Sequence, residues 1–416
     1  MRKRKEQGVS WSFMDLTALR EDFPTMRNGD TVYLDSACQS LRPDKVIRAI
    51  IKHYEETPTC GGRSVHAMGS KVSITVDETR ETLADFFNTD DPDCYSFCKN
   101  ATEALNTIAF GLSLNKDDTI LTSDSEHNSN HVPWLVRAER NGLKRKYAKT
   151  TEEGEFDIEA FKESMDNTVK VVSVQHASNV TGCTMPVKEI VEIARDCGAV
   201  SVIDGAQAAP HMKVDLKDID PDFYCLSVHK MLGPSGMGIM YGKSERLEEL
   251  RPLMYGGGTV GMTTYDSVKL TPHPEKFEAG LQNYAGIAGT KAALEYLSAA
   301  GMENVEKHDR MLMRRIASCT EDIKGLKVLG PADPDRRGSV FSFNIDGMSP
   351  HDIAVILDEI DGIMIRSGSH CAHPLFEGKK ISGSARASVY LYNNEEDIDR
   401  FCKVLAGVAE TFGEKS

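Results

Sequence analysis

Three residues in this sequence stand where packing alone does not explain them: a lysine, an aspartate and a cysteine. Lys230 follows the apolar run 223–227 and precedes the turn-forming stretch Gly233-Pro234-Ser235-Gly236. An ammonium at the mouth of an apolar sheet is desolvated and its pKa falls, which is what a Schiff-base amine requires. Asp204 ends a second apolar run, Val202-Ile203, and leads into Gly205-Ala206-Gln207. That is where open α/β sheets bind ligands, and a carboxylate there can keep a pyridine nitrogen protonated, as a pyridoxal phosphate ring needs to act as an electron sink. A surface lysine beside a turn and a helix-capping aspartate are the plainer alternatives.

Other residues offer the remaining parts of such a site. Asn100-Ala101-Thr102-Glu103 opens a helix expected over 104–112, where backbone N–H groups and the Thr102 hydroxyl can hold a phosphate, although capping alone also explains them. Ser227 and His229 can close its other side. The polar cluster Glu126-His127-Asn128-Ser129-Asn130-His131 reads as a loop after a strand. His127 can stack on a planar cofactor; its spacing to His131 also suits metal ligation, but no acidic residue completes a zinc pattern. In Arg366-Ser367-Gly368-Ser369-His370-Cys371-Ala372-His373 a cysteine lies among an arginine and two histidines, a setting that favours the thiolate that attacks sulfur. Arg386, entering a later strand, suits a bidentate grip on a carboxylate.

These residues need a scaffold, and 416 of them suffice for two domains or one large α/β domain with an appendage. Between about residues 33 and 243, short β-branched runs (119–122, 169–175, 199–204, 223–227) alternate with amphipathic segments. One such segment, 186–197, carries the stripe Val187, Ile190, Val191 and Ala194. The alternation predicts an α/β fold with a mainly parallel, doubly wound sheet. After Tyr255-Gly256-Gly257-Gly258 the texture changes to helices over 286–300 and 303–323. A strand (339–345), a helix (349–360), strands 363–366 and 386–391 and a closing helix from 394 follow, which predicts a smaller C-terminal α+β domain. The expected division is an N-terminal segment, 1–30, packing with the small domain, a large domain over 31–290, and a small domain over 291–416 that carries the cysteine loop.

Composition limits the setting. A net charge of −14 argues against a broad footprint for nucleic acid or anionic lipid. No apolar run is long enough for a membrane span, and the basic opening, residues 1–7, leads into no secretory core. The ten cysteines form no C-x-x-C pair, so a cytoplasmic, reducing location is expected, with most of them small core residues.

Taken together, the chain resembles class V (fold-type I) pyridoxal phosphate enzymes, and within them the group II, SufS-type cysteine desulfurases. The resemblance runs from about Val32 to Phe401 and rests on Tyr33-Leu-Asp-Ser-Ala37, Gly62-Arg-Ser-Val-His66, Asn100-Ala-Thr-Glu103, Glu126-His127 with Val132-Pro-Trp134, Ser178-Asn179-Val-Thr-Gly182, Asp204-Gly-Ala-Gln207, Ser227-Val-His-Lys230, Phe277-Glu-Ala-Gly280, Arg366-Ser-Gly-Ser-His-Cys371 and Arg386-Ala-Ser388. The short path from Cys371 to Arg386 is similar to the compact cysteine loop of group II.

The resemblance implies a fold-type I transferase fold, pyridoxal phosphate as cofactor, L-cysteine as substrate, and a cytoplasmic homodimer passing persulfide sulfur to an acceptor or iron–sulfur scaffold protein. It makes Lys230 the cofactor's covalent anchor and the Cα proton carrier, and pairs Asp204 with the ring nitrogen. His127 stacks on the ring and Gln207 bonds its phenolic oxygen. Ala101, Thr102, Ser227 and His229 hold the phosphate, with Gly280 at the inter-subunit contact. Asn179 and Arg386 take the substrate carboxylate, with Arg366 and His370 beside the substrate, and Cys371 attacks the substrate sulfur to give alanine and a persulfide. His370 tunes that thiol or donates a proton. Departures from the family pattern are Leu281 where a threonine is usual, Ser369 where a second histidine is usual, and Cys38 and Cys60 near the expected substrate entrance. The competing readings are selenocysteine lyase, cysteine sulfinate desulfinase or another class V lyase or aminotransferase, a silent member of a sulfur-transfer complex, and a metal hydrolase using His127 and His131.

Overall fold

In the computed structural model residues 16–27 and 29–413 are described; the basic opening, residues 1–7, lies outside them. Seven strands make the central sheet: β1 (Tyr95–Cys98), β2 (Thr119–Ser123), β3 (Lys144–Ala148), β4 (Val169–Gln175), β5 (Val200–Asp204), β6 (Phe223–Ser227) and β7 (Gly238–Gly242). Their order is β1-β7-β6-β5-β4-β2-β3; β7 runs antiparallel to both its neighbours and every other pair is parallel. The continuous apolar runs follow from burial on both faces. In β6, Tyr224 and Leu226 enter one core while Phe223 and Cys225 enter the opposite one. Each large side chain buried this fully contributes roughly 1.5–3 kcal/mol.

Helices cover both faces. On one side α1 (Asp44–Glu56) and α2 (Ala67–Phe87) pack on α6 (Tyr284–Ala300). Elsewhere α3 (Ala101–Gly111) lies beside α4 (Asn128–Asn141), and α5 (Val187–Asp196) buries the stripe expected of it. Helix α3 starts three residues earlier than the sequence pattern suggests, because Asn100 Oδ1 caps it by accepting the Glu103 N–H at 3.0 Å. The expected loop over 126–131 is corrected more substantially. His127 is an N-cap, Asn128–Asn141 is helical despite Pro133, and Asn130 and Trp134 on its inner face are buried.

The C-terminal strands β8 (Leu326–Leu329), β9 (Val340–Ile345), β10 (Arg366–Gly368) and β11 (Ser384–Ser388) form an antiparallel sheet in the order β8-β9-β11-β10. Phe341 and Phe343 pack there against Leu312 of α7 (Met302–Thr320), Leu357 of α8 (Pro350–Asp361) and Phe401 of α9 (Glu395–Phe412). The expected strand over 386–391 ends at Ser388, since the Tyr390 N–H turns to Asn393 Oδ1 at 2.9 Å. The one expected over 363–366 is split: Ile363–Met364 pairs with Val32–Tyr33, and Arg366 begins β10. The early chain is thereby woven into the later sheet, with Asp35 bridging to Ser388 and Arg20 paired with Asp397 at 2.8 Å. Cys319 on α7 and Cys402 on α9 form a disulfide, where the sequence reading places reduced core cysteines.

Candidate active site

The parallel strands end along one edge, and there the candidate residues gather. Asp204 is the last residue of β5; Ser227 is the last of β6, and a single 3₁₀ turn, Val228–Lys230, carries His229 and Lys230 beyond it. Because β7 is antiparallel, its first residue, Gly238, lies opposite both Ser227 and Cys98 at this same edge. A Cβ on Gly238 would come within 2.4 Å of the Asn100 backbone, so only glycine lets the start of α3 approach so closely. Across that contact the Ala101 N–H donates to Ser227 Oγ at 3.0 Å, and Thr102 Oγ1 meets Ser129 Oγ at 2.6 Å. Two helix starts thus bring hydroxyls and backbone N–H groups to one place.

Electrostatics set the state of each group. Burial pushes the Lys230 ammonium down to about 8, although Asp204 works in the opposite direction. Asp204 itself is raised by burial and held back by the Ala206 N–H, 3.0 Å from its Oδ1, and by Lys230. His127 is driven down to about 3 by burial, with Lys230 and Arg386 adding to the shift. Its Nδ1 accepts the Ser129 N–H at 3.1 Å, so the ring is neutral with its proton on Nε2. His229 is lowered to about 4 and is likewise uncharged at neutral pH. Glu126, buried and bonded by Ser123 and by Asn130 at 2.7 Å, is pushed up to about 7.

The cysteine loop approaches from the C-terminal sheet. His370 and Cys371 both adopt the left-handed conformation, φ 46° and 57°, an uncommon pair of non-glycine residues in which strain is stored. What holds the loop is the start of α4: the Asn128 N–H donates to the Cys371 carbonyl at 2.6 Å and Asn128 Nδ2 meets His373 Nδ1 at 2.9 Å. Cys371 is exposed. His370 Nε2 must donate to the Ser384 carbonyl, 2.9 Å away, so its buried, unpartnered Nδ1 is bare. Burial, with Arg386 adding to it, lowers this imidazole to about 3. In this state the ring is neutral, and its free nitrogen has no proton to donate.

Arg386 is 3% exposed. Its guanidinium donates to the Asn179 carbonyl at 3.1 Å and to Asp35 Oδ1 at 3.3 Å, while Nε is buried without a partner. Asn179 Nδ2 donates to the His370 carbonyl at 2.7 Å, tying Arg386 to the cysteine loop. Arg366 is exposed, 3.7 Å from Asp35 Oδ2. Sequence reasoning placed Asp35 within a motif without giving it a role. Ser129, the other missed residue, gives no sequence signal apart from its position after His127. Gln207 Nε2 donates to the Ala37 carbonyl at 2.9 Å, and its Oε1 is buried and unpaired. Gly280 stands apart: it is exposed, and its N–H donates to Gly257 at 2.6 Å. Leu281 beside it is 75% exposed. Cys60 is exposed, whereas Cys38 is half-buried within electrostatic reach of Lys230 and Arg386. Among the described residues no group of three His, Cys, Asp or Glu side chains could hold a metal ion.

The donor set fits pyridoxal phosphate. A desolvated amine, a buried carboxylate, a neutral imidazole and hydroxyls at a helix start are the groups its aldehyde, ring nitrogen, ring face and phosphate need. The buried, unpartnered atoms of Asn179, Gln207 and Arg386 leave polar capacity for a ligand.

Comparison with known proteins agrees. The family model "Aminotransferase class-V" matches residues 32–401. A probable cysteine desulfurase of Halalkalibacterium halodurans is 36% identical over 96% of this chain and 99% of that protein. A cysteine desulfurase of Haloferax volcanii is 34% identical over 96% and 98%. Among solved structures, the apo cysteine desulfurase of Thermococcus onnurineus NA1 superposes with a TM-score of 0.92 at 34% identity, covering 96% of this chain and 99% of that one. The Escherichia coli cysteine desulfurase CsdA gives 0.89 at 30% identity, over 96% and 100%. The chain belongs to the class-V aminotransferase family of pyridoxal phosphate enzymes, among its cysteine desulfurases.

Proposed function

We propose that the protein converts L-cysteine to L-alanine and takes the sulfur onto Cys371 as a persulfide. The observation that carries this reading is the docking of the Cys371 carbonyl on the Asn128 N–H, which sets the thiol loop beside His127 and the Lys230–Asp204 edge.

Ala101, Thr102, Ser227 and His229 would hold the cofactor's phosphate, Asp204 its ring nitrogen, His127 its ring face, Gln207 its phenolic oxygen and Lys230 its aldehyde carbon. Pyridoxal phosphate supplies, when bound, the sink for the electron pair released at the substrate Cα. Arg386 binds the substrate carboxylate through the donor capacity left at its guanidinium, with Asn179 holding it in place and Asp35 offsetting its charge. Lys230, lowered to about 8, exchanges a proton with Cα near neutral pH. The Cys371 thiolate then forms an S–S bond to the substrate sulfur as the Cβ–S bond breaks. The bonding pair stays with Cβ, which takes a proton and becomes the methyl group of alanine.

The finer reading is a compact-loop, SufS-type enzyme working as a cytoplasmic homodimer that hands sulfur to an acceptor or iron–sulfur scaffold protein. Residues 31–290 carry the cofactor and 291–416 the thiol loop; of the segment 1–30, whose residues 1–15 and 28 lie outside the described residues, Arg20 supports docking on the small domain through its pair with Asp397. Exposure of Cys371 supports transfer to a second protein. Exposed Leu253, Met254, Tyr255 and Leu281, flanking the Gly257–Gly280 contact, support a dimer contact there.

The test is the visible spectrum of the purified protein followed by L-cysteine addition. The expected outcome is a yellow protein that forms alanine and sulfide in equal amounts in the presence of a thiol reductant, and a Lys230→Ala variant that forms neither. A yellow protein inert towards L-cysteine would overturn the substrate assignment.

A further inference from the structure

One turn of helix carries three parts of the active site. At the start of α4 the His127 ring accepts the Ser129 N–H at 3.1 Å, the Asn128 N–H holds the Cys371 carbonyl at 2.6 Å, and Ser129 Oγ meets Thr102 Oγ1 at 2.6 Å. Whatever fixes this turn fixes the ring-facing imidazole, the thiol loop and a phosphate hydroxyl together. Backbone bonds hold its shape, the Asn130 and His131 N–H groups both reaching the His127 carbonyl, but they do not fasten it to the sheet.

The fastening is a buried polar network beneath the turn. Glu126, 1% exposed, takes Asn130 Nδ2 on one carboxyl oxygen at 2.7 Å and the hydroxyl of Ser123, the last residue of β2, on the other. Asn130 Oδ1 accepts the Ser173 hydroxyl of β4 at 2.5 Å and the Trp134 ring N–H at 3.3 Å. Gln175, two residues along the same face of β4, donates to the Ser125 carbonyl at 2.8 Å. Gln175 also pairs in register with Asp204 on β5, so the network ends beside the carboxylate assigned to the ring nitrogen. None of Ser123, Ser125, Glu126, Asn130, Ser173 and Gln175 keeps a buried side-chain atom without a partner.

A carboxyl is a costly choice for such a position. Burial pushes Glu126 up to about 7, and apolar side chains of similar volume are often as stable as a buried charged group. What a fully satisfied polar network adds is a single fixed arrangement. Protonation does not break it, because a protonated Glu126 donates to Ser123 Oγ instead of accepting from it. We infer that Glu126, acting through Asn130, is a positioning residue that sets the first turn of α4 and with it His127 and the Cys371 loop. The inference rests on the desulfurase reading for the roles of His127 and Cys371.

Two readouts on the holoenzyme without substrate test it. One is the rate of Cys371 alkylation by iodoacetamide, followed on the Cys371 peptide with the exposed Cys60 as internal reference; the other is the absorbance maximum of the bound cofactor. Glu126→Leu keeps the volume and removes both acceptors. The Cys371 rate is then expected to rise about tenfold relative to Cys60, as loss of one net hydrogen bond allows, and the absorbance maximum to shift. Glu126→Gln, whose amide oxygen can face Asn130 while its amide nitrogen donates to Ser123, is expected to restore the wild-type value of both. An unchanged Cys371 rate or absorbance maximum in Glu126→Leu, a Cys60 rate that rises in step, or equal changes in the two variants would overturn the proposal. Should Glu126→Leu fail to fold, the near-isosteric Asn130→Asp carries the test: it sets a second carboxyl against Glu126 and is expected to raise the Cys371 rate in the same way, a wild-type rate counting against the proposal. Neither readout needs turnover, so the expected pattern in a protein inert towards L-cysteine would sink the desulfurase reading and still support the positioning of the thiol loop by Glu126.

Discussion

Arg386 shows how much a single buried group depends on its neighbours. It is held by a backbone carbonyl, a carboxylate and the rigidity of a strand, and one donor remains unassigned. A lysine at this position keeps the charge but lacks the planar fork that serves Asn179, Asp35 and a carboxylate together. For Arg386→Lys the KM for L-cysteine is expected to rise about 10- to 100-fold, the equivalent of one lost charge-assisted hydrogen bond of roughly 1.5–3 kcal/mol, with kcat changed less. Steady-state kinetics check this; an unchanged KM would remove Arg386 from the carboxylate site. Lys230 and Asp204 stand out in the sequence because each charge closes an apolar run, and Arg386 as an arginine entering a strand. Asp35 does not stand out, since its partners lie over three hundred residues away and only the fold brings them together.

At the scale of elements, legibility followed burial. The runs 169–175 and 223–227 are rich in apolar residues because both faces of their strands are covered, and the structure returns them with the same bounds. Strand β3, Lys-Arg-Lys-Tyr-Ala, lies at the sheet edge and is largely exposed, so it carries no apolar signal. The hairpin Val260–Thr263 with Val268–Leu270 is exposed for the same reason and went unread. Helix α4 was misread because its first turn is polar; His127 supplies the cap, and the buried Asn130 and Trp134 supply the inner face. One tertiary anchor can be tested directly. Glu278 grips Arg80 with both oxygens at 2.8 Å and takes the Phe97 N–H at 2.8 Å, fastening α2 and β1 to the chain before α6. Glu278→Ala leaves the buried Arg80 guanidinium with only the Tyr95 carbonyl at 3.2 Å and the exposed Asp77 at 4.0 Å, and is expected to destabilise the protein by about 3 kcal/mol in urea unfolding. A loss below about 1 kcal/mol would show that water replaces the carboxylate.

For the molecule as a whole, the buried histidines set the response to acid. His127 and His370 are lowered to about 3, and His176 and His229 to about 4, in each case chiefly by burial, from an ordinary value of 6.5. Between those values the unfolded chain binds more protons than the folded one, so stability is full above about pH 6.5 and falls as the pH drops towards 4. At pH 5 each imidazole removes at most about 2 kcal/mol. Glu126 opposes them: raised to about 7, it stays protonated in the fold, and its contribution is present below 4.5 and lost as the pH rises through 7. Asp35, Asp204, Glu278 and Asp309, also raised by burial, act with Glu126; that the imidazoles outweigh these carboxylates is the prediction, read as a lower urea midpoint at pH 5 than at pH 7 in the cofactor-free protein. An equal or higher midpoint at pH 5 would show that the raised carboxylates outweigh the imidazoles.

The central claim is that sulfur leaves the substrate by way of Cys371. The most direct measurement is a single turnover with L-cysteine, stopped by alkylation, with the peptide containing Cys371 weighed by mass spectrometry and the alanine counted alongside. The expected result is a Cys371 peptide one sulfur atom heavier, in an amount equal to the alanine formed, and no alanine from Cys371→Ala. Alanine formed at the wild-type rate by that variant, or a wild-type Cys371 that carries no added sulfur, would contradict the account.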